Sequence, residues 1–315
     1  TDMTSLAPIF ELTPGATISP ASGSVQNFTT PVRYTVTSED KAWHRVYAIT
    51  AREQKASNIP TTYHFEKVRI MQNVWQEFYE EQDSGNELTW ASGNKGFKWA
   101  MSEAATEDYP TTQIDNGKTG KCVKLETRLT GDLGNMVGMP IAAGNLFIGS
   151  FDMLNAITNP LSATRFGTPF YNKPLRLTGY YKYKAGEQFY ENGEYTSRKD
   201  IFNIYAIFYD GVKYDSAGKG TDVTLDGNLP NQNYEHSSMV ALALVSNPQE
   251  TEGDEWKFFD IPFDYQRYGK KIDEARLAKG EYKIGIIFAS SKDGATFEGA
   301  PGSTLLIDEV ELIYE

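Results

Sequence analysis

Ser290-Ser-Lys-Asp-Gly-Ala-Thr-Phe-Glu-Gly-Ala-Pro-Gly-Ser-Thr-Leu-Leu-Ile-Asp-Glu-Val-Glu-Leu-Ile-Tyr314 decides the fold class. A Gly-rich polar loop runs into a terminal strand, Thr304–Tyr314, that carries one acid, Asp308, among apolar residues. Other β-prone runs recur upstream: Cys122–Leu129, Leu175–Lys184, Ile201–Tyr209, Val240–Val245, Trp256–Ile261 and Tyr282–Ala289, punctuated by Gly and Asn. Helix signals are few; Lys271–Lys279, stopped by Gly280, reads as two turns. An all-β protein of packed antiparallel sheets is the expected outcome.

Length and composition agree. At 315 residues the chain is long enough for two cores, and with 19 Tyr, 17 Phe and 5 Trp it favours strands. The net charge is −12 with no basic run, which argues against nucleic acid and anionic membranes as partners. No apolar run reaches membrane-spanning length. Cys122 is the sole cysteine, so no intrachain disulfide forms, and apolar Val123 and Leu125 mark it as a buried structural thiol. His44, His64 and His236 lack the spacing of zinc ligands. The chain starts at Thr1 without Met, which reads as the trace of a removed leader, a secretion signal or lipid anchor.

Residues 1–56 read as a small N-terminal sandwich. Arg33–Thr37 and Arg45–Ile49 form a hairpin pattern across Ser38–Ala42. The polar, Pro-terminated stretch Glu53–Pro60 reads as a linker, and residues 60–315 as one large sandwich. The wording Gly15-Ala-Thr-Ile-Ser-Pro20, Tyr34–Asp40 and Trp43 resembles the immunoglobulin-like spacer domains of bacterial surface proteins.

The large segment resembles a specific family, the putative carbohydrate metabolism domain of secreted proteins from polysaccharide-degrading gut bacteria. The resemblance is carried by Phe65-Glu66, Trp90-Ala-Ser-Gly-Asn94-Lys-Gly-Phe97, Leu125-Glu-Thr-Arg128, Ala142-Ala-Gly-Asn-Leu-Phe147, Phe166–Phe170, Gly179–Tyr183 and the terminal stretch. It implies a jelly roll similar to lectins and carbohydrate-binding modules. It also implies a cell-surface or periplasmic location, secreted or anchored in the outer membrane, and partners that are oligosaccharides, polysaccharides and other surface glycan-processing proteins. Members are commonly labelled glycoside hydrolases, but no catalytic pair comes with the resemblance.

Strand parity nominates residues independently. Val123, Leu125, Thr127 and Leu129 should face a core, leaving Lys124, Glu126 and Arg128 on a charged face. That face is either a solvated ion-pair surface or a ligand-facing row. Leu177, Gly179, Tyr181 and Tyr183 should likewise face inward, leaving Tyr180 among Arg176, Lys182 and Lys184. An aromatic ring among long polar side chains suits a pyranose, whose C–H face stacks while its hydroxyls are read alongside; the same ring can instead cover the lysine stems. Trp90 and Asn94 bracket a turn-forming Ala-Ser-Gly, and Trp90 either presents its ring from a loop or plugs the core. Asn145 is a turn residue or a hydroxyl-reading amide. By parity Asp308 shares a face with Leu306, Val310 and Leu312, so an inward acid is expected. Either it meets a structural calcium together with Glu66, or it bonds amides of the Ser290–Ser303 loop. As carboxylates for hydrolysis, Glu126 with Glu298 or Asp293 is the first pair to consider. Three functions follow: glycan binding, a glycoside hydrolase or lyase on the same fold, or an adhesive surface protein without a sugar site.

Overall fold

The computed structural model describes residues 2–51, 56–82 and 84–315. The chain divides into two compact units, Thr1–Ala56 and Ser57–Glu315. Glu53–Lys55 of the expected linker lie outside the described residues. Its remainder belongs to the second unit: Ile59 joins the main core, its carbonyl accepts from Gln82 Nε2 at 2.5 Å, and Asn58 Nδ2 donates to Pro169 O at 2.9 Å.

In the first unit, strands β1 (Thr17–Ser19), β2 (Val32–Thr37) and β3 (His44–Ile49) form one antiparallel sheet in the order β1–β2–β3. The hairpin expected from Arg33–Ile49 is there, with Tyr34 opposite Tyr47. Tyr34 and Phe28 are buried, and the Phe10 ring packs 4.7 Å from that of Tyr34.

The second unit opens with β4 (Thr62–Tyr63), β5 (Thr111–Asp115), β6 (Lys121–Glu126) and β7 (Asn145–Phe147). Next come β8 (Thr168–Pro169), β9 (Pro174–Lys184), β10 (Asn203–Asp210) and β11 (Met239–Leu244). Last are β12 (Lys257–Pro262), β13 (Tyr282–Ala289) and β14 (Thr304–Tyr314). A six-stranded sheet runs β12–β9–β14–β6–β5, with β4 also on β14; a five-stranded sheet runs β7–β13–β10–β11, with β8 also on β13. The chain is thus an all-β sandwich, with its main core between these two sheets.

Two sequence textures build the two sheets. The six-stranded sheet has one face on the core and one outward, so β9 alternates: Leu177, Tyr181 and Tyr183 are buried while Arg176 and Lys184 are exposed. The five-stranded sheet is covered on both faces, so β10 is an unbroken aliphatic and aromatic run from Ile204 to Tyr209. Ile204, Ala206 and Phe208 enter the main core, whereas Tyr205, Ile207 and Tyr209 enter a second cluster on the far side.

That far side is covered by connections the sequence did not present as helices: α1 (Asn94–Ala100), α2 (Gly131–Met136) and α3 (Met153–Thr158). The helix expected at Lys271–Lys279 is shorter, α4 (Glu274–Leu277), capped by Asp273, whose carboxylate accepts from Ala275 N and Arg276 N. Gly280 follows at φ +69°, the left-handed stop its side-chain-free backbone permits.

Strand parity fails at one point on β14. Thr178 pairs with Glu311 but Tyr180 pairs with Asp308, so two residues, Glu309 and Val310, stand opposite Gly179. This β-bulge, with Glu309 at φ +49°, shifts the phase of the strand. Leu305, Ile307, Val310 and Leu312 face the core, and Asp308 faces away from it with Leu306. Asp308 is still fully buried.

Candidate functional site

Asp308 is buried because the β5–β6 hairpin folds over it. Its Oδ2 accepts from Thr119 N at 3.0 Å and its Oδ1 from Glu309 N at 2.8 Å. Glu66 reaches the same hairpin, its Oε1 accepting from Lys121 N at 2.8 Å. Only glycines fit beside these acids: a Cβ on Gly117 would lie 2.7 Å from Asp308 Oδ2, and one on Gly120, at φ +60°, 2.1 Å from Glu66 Oε1. Burial raises the Asp308 carboxyl to about 6 despite the amide bonds. Burial and then the Asp308 charge push the neighbouring Cys122 thiol up to about 12, so it is a structural thiol. Glu66 and Asp308 therefore converge on one hairpin, held by N–H donors. Among the described residues no three His, Cys, Asp or Glu side chains gather as a metal set.

The acid that ties down the Ser290–Ser303 loop is one the sequence reading passed over, Asp200. It is buried, and its Oδ2 accepts from Ser291 Oγ (2.6 Å), Ala300 N (2.7 Å) and Ser303 Oγ (2.7 Å), while Oδ1 accepts from Ile201 N (2.8 Å). Thr127 Oγ1 adds contacts to Ser290 Oγ (2.8 Å) and Ser291 Oγ (2.5 Å). Desolvation raises the Asp200 carboxyl above its ordinary value. Asp200 sits in a plain stretch, Lys199-Asp200-Ile201, and only the serines of the distant loop could have pointed to it.

The other nominated residues fall into three groups. Trp90 and Asn94 are structural. The Trp90 ring is wedged among Tyr63, Phe65 and Phe288 at centroid distances of 5.0–5.9 Å, so it plugs the core. Asn94 is fully buried; its Oδ1 accepts from Thr111 N (3.1 Å) and its Nδ2 donates to Thr111 O (2.7 Å), anchoring α1 to β5.

Tyr180 and Lys182 share the outer face of the six-stranded sheet but have partners already. The Tyr180 ring packs on Phe258 at 5.1 Å and lies 4.8 Å from Lys118 Nζ. Lys182 Nζ lies 5.1 Å from the Trp256 ring and 3.9 Å from Asp254 Oδ1.

Glu126, Arg128 and Asn145 line open space. Glu126 and Arg128 wall a groove of about 710 Å³ between the C-terminal end of α1 and residues 126–129, together with Ser102, Glu103 and Asp108. Its apolar side is Phe97, Ala104 and Leu129. Parity placed Leu129 inward, but the strand breaks after Glu126 and Leu129 is 53% exposed. Glu126 meets Lys124 Nζ at 3.0 Å and Arg128 Nε at 3.2 Å. The Arg128 Nε–H is buried yet has no aligned hydrogen bond. Asp293 is paired instead with Arg198, and Glu298 bonds through its N–H to Asp293 O at 3.3 Å. Neither lines the groove, whose further acids are Glu103 and Asp108.

Asn145 belongs to a second space beyond α1, a cavity of about 170 Å³ on the far face of the five-stranded sheet. Phe147, Phe166 and Tyr205 stand edge to face there, at 5.4 Å and 81° and at 6.3 Å and 85°. Asn145 Oδ1 accepts from Gly93 N at 2.8 Å, fixing the turn before α1. Phe97 and Ala100 of α1 line both spaces.

With this geometry in hand, the similarities to known proteins place the chain. The family model "Putative carbohydrate metabolism domain" matches residues 64–313. A second model, "SGBP, N-terminal", matches residues 1–51. No curated protein matches the chain. Two solved structures are similar. One, described as a putative glycoside hydrolase from Bacteroides vulgatus ATCC 8482, is 50% identical over 82% of this chain and 100% of its own, with a TM-score of 0.76. Another, described as a putative glycoside hydrolase from Bacteroides thetaiotaomicron VPI-5482, is 47% identical over 100% of this chain and 88% of its own, with a TM-score of 0.73. The chain belongs to the putative carbohydrate metabolism domain family.

Proposed function

We propose that the protein binds oligosaccharide at the bacterial cell surface, in the groove walled by Glu126 and Arg128. The observation that carries this reading is the Arg128–Glu126 ion pair (3.2 Å) in the wall of an open groove. Guanidinium donors and carboxylate acceptors side by side suit sugar hydroxyls, which both donate and accept. Ser102, Glu103, Asp108 and Glu126 offer further hydroxyl partners, and Leu129 offers an apolar surface for a pyranose face. The match of residues 1–51 to the SGBP N-terminal model supports a surface location. Among the described residues no helix is long and apolar enough to cross a membrane. A screen on a glycan array, followed by calorimetry with the best glycan, tests the reading. Dissociation constants of roughly micromolar to millimolar are expected. Arg128→Met should weaken binding while preserving the fold; unchanged affinity would move the site elsewhere.

A second reading is hydrolysis, favoured by the three carboxylates Glu103, Asp108 and Glu126 on one groove and by the description of both solved relatives. Each array hit should therefore be assayed for new reducing ends. Turnover abolished by Glu126→Gln would establish catalysis; binding without turnover would leave the protein a glycan binder.

A further inference from the structure

The cavity on the other side of α1 differs chemically from the groove. Its walls are mainly carbon: Phe97, Phe147, Phe151, Phe166, Tyr205 and Phe297. Among the described residues lining it there is no Asp, Glu or His, and Lys292 is the sole charged one. Lys292 is exposed and has no ion-pair partner among the described residues. Dry apolar cavities of about 150 Å³ hold a benzene-sized ring, and this one encloses about 170 Å³.

The wall is also held at a cost. Phe297 adopts φ +60°, a left-handed conformation that a bulky residue avoids. It follows the turn Gly294–Thr296, and the loop carrying both is fixed from beneath by Asp200 through Ser291, Ala300 and Ser303. Strained residues persist where the surroundings over-determine them, and they concentrate at ligand sites.

We propose that this cavity binds a small aromatic carboxylate, its ring among Phe147, Phe166 and Tyr205 and its carboxylate toward Lys292. Flat edge-to-face walls select a planar ring over a puckered sugar, whose hydroxyls would find few partners. The lone cation lining the cavity selects an anionic group. The cavity shares Phe97 and Ala100 with the groove, but the proposal does not rest on a glycan there.

The test is titration of the intact chain with benzoate and with benzyl alcohol, its neutral analogue of similar shape. Wild type should saturate with benzoate. Ala156→Leu, which adds three carbons from α3 into the cavity, should weaken both probes roughly tenfold or more. Lys292→Gln, an exposed change that leaves the walls intact, should weaken benzoate and spare benzyl alcohol. Wild type that does not saturate, or a folded Ala156→Leu that binds benzoate as wild type does, would overturn the proposal. Equal benzoate affinity in Lys292→Gln would overturn the assignment to a carboxylate. Glycan binding should survive in Ala156→Leu, and joint loss would show the two spaces to be one site. Absence of any glycan binding in wild type, with benzoate still saturating, would sink the groove reading alone.

Discussion

Asp200 Oδ2 lies 2.6 Å from Ser291 Oγ, a bond between residues 91 positions apart. It joins the stretch before β10 to the loop after β13, and so fastens the edge of the aromatic cavity to the sheet beneath it. Because Ser303 Oγ and Ala300 N donate to the same oxygen, removing the carboxylate orphans several buried donors at once.

Asp200→Ala should therefore destabilise the second unit by at least the roughly 1–3 kcal/mol of one unsatisfied buried group. Thermal denaturation reads the loss, and amide exchange should show faster opening of residues 290–303 than of β10. An Asp200→Ala protein that melts with wild type would mean the loop is held by other contacts.

Asp308 predicts a pH dependence. Its folded carboxyl titrates at about 6 against an ordinary 3.8, so the folded state holds the proton more tightly than the unfolded one. Stability from this group is present below about pH 4 and is lost as pH rises toward 6, by about 3 kcal/mol in all. Urea midpoints for wild type and Asp308→Asn between pH 4 and pH 7 isolate it. The stability of wild type relative to the variant should fall across that range. A constant difference would show that Asp308 does not titrate there. EDTA should leave the melting temperature of wild type unchanged, since both Asp308 oxygens and Glu66 Oε1 already accept from backbone amides; a lowered temperature would point to a bound cation.

The fold was largely legible in the sequence because strands announce themselves through period. Tyr282–Ala289 and Thr304–Tyr314 were read with the bounds they have. The alternation of Leu177, Tyr181 and Tyr183 named the buried face of β9 correctly. What escaped was whatever depends on a distant partner. A β-bulge is invisible in one strand, since it is defined by Gly179 opposite two residues of another, so Asp308 was given the wrong face. α1 starts after Gly93 with no side-chain cap, and what anchors it is Asn94 gripping Thr111 of another element. The candidate site was half legible for the same reason. Parity brought Glu126 and Arg128 to an open wall, yet it could not show that Phe258 and Lys118 already cover the Tyr180 ring.

The boundary between the units yields a third expectation. Ile59 is a core residue and Asn58 is bonded to Pro169, so the foldable fragment begins at Ser57 and not at Pro60. Chains starting at Ser57 and at Thr61 should both express, but the shorter one should melt lower. Burying an Ile side chain contributes about 1.5–3 kcal/mol, and its removal also exposes Gln82 without its acceptor. Equal melting temperatures would show that the Ile59 contact adds nothing to the second unit.

Tyr180 separates the sheet face from the groove. Its ring is packed on Phe258 and approached by Lys118, contacts that together contribute about 1–2 kcal/mol. Tyr180→Ala should consequently lower stability by that amount and leave glycan affinity as it was, because an occupied ring face is not open to a pyranose. Arg128→Met should weaken binding at a stability cost of about 1 kcal/mol, from the lost ion pair with Glu126 and the lost bond from Nη2 to Glu107 O. Calorimetry and thermal melts on the same two preparations give four numbers. Weakened binding in a stable Tyr180→Ala, with Arg128→Met unaffected, would transfer the glycan site from the groove to the outer face of the six-stranded sheet.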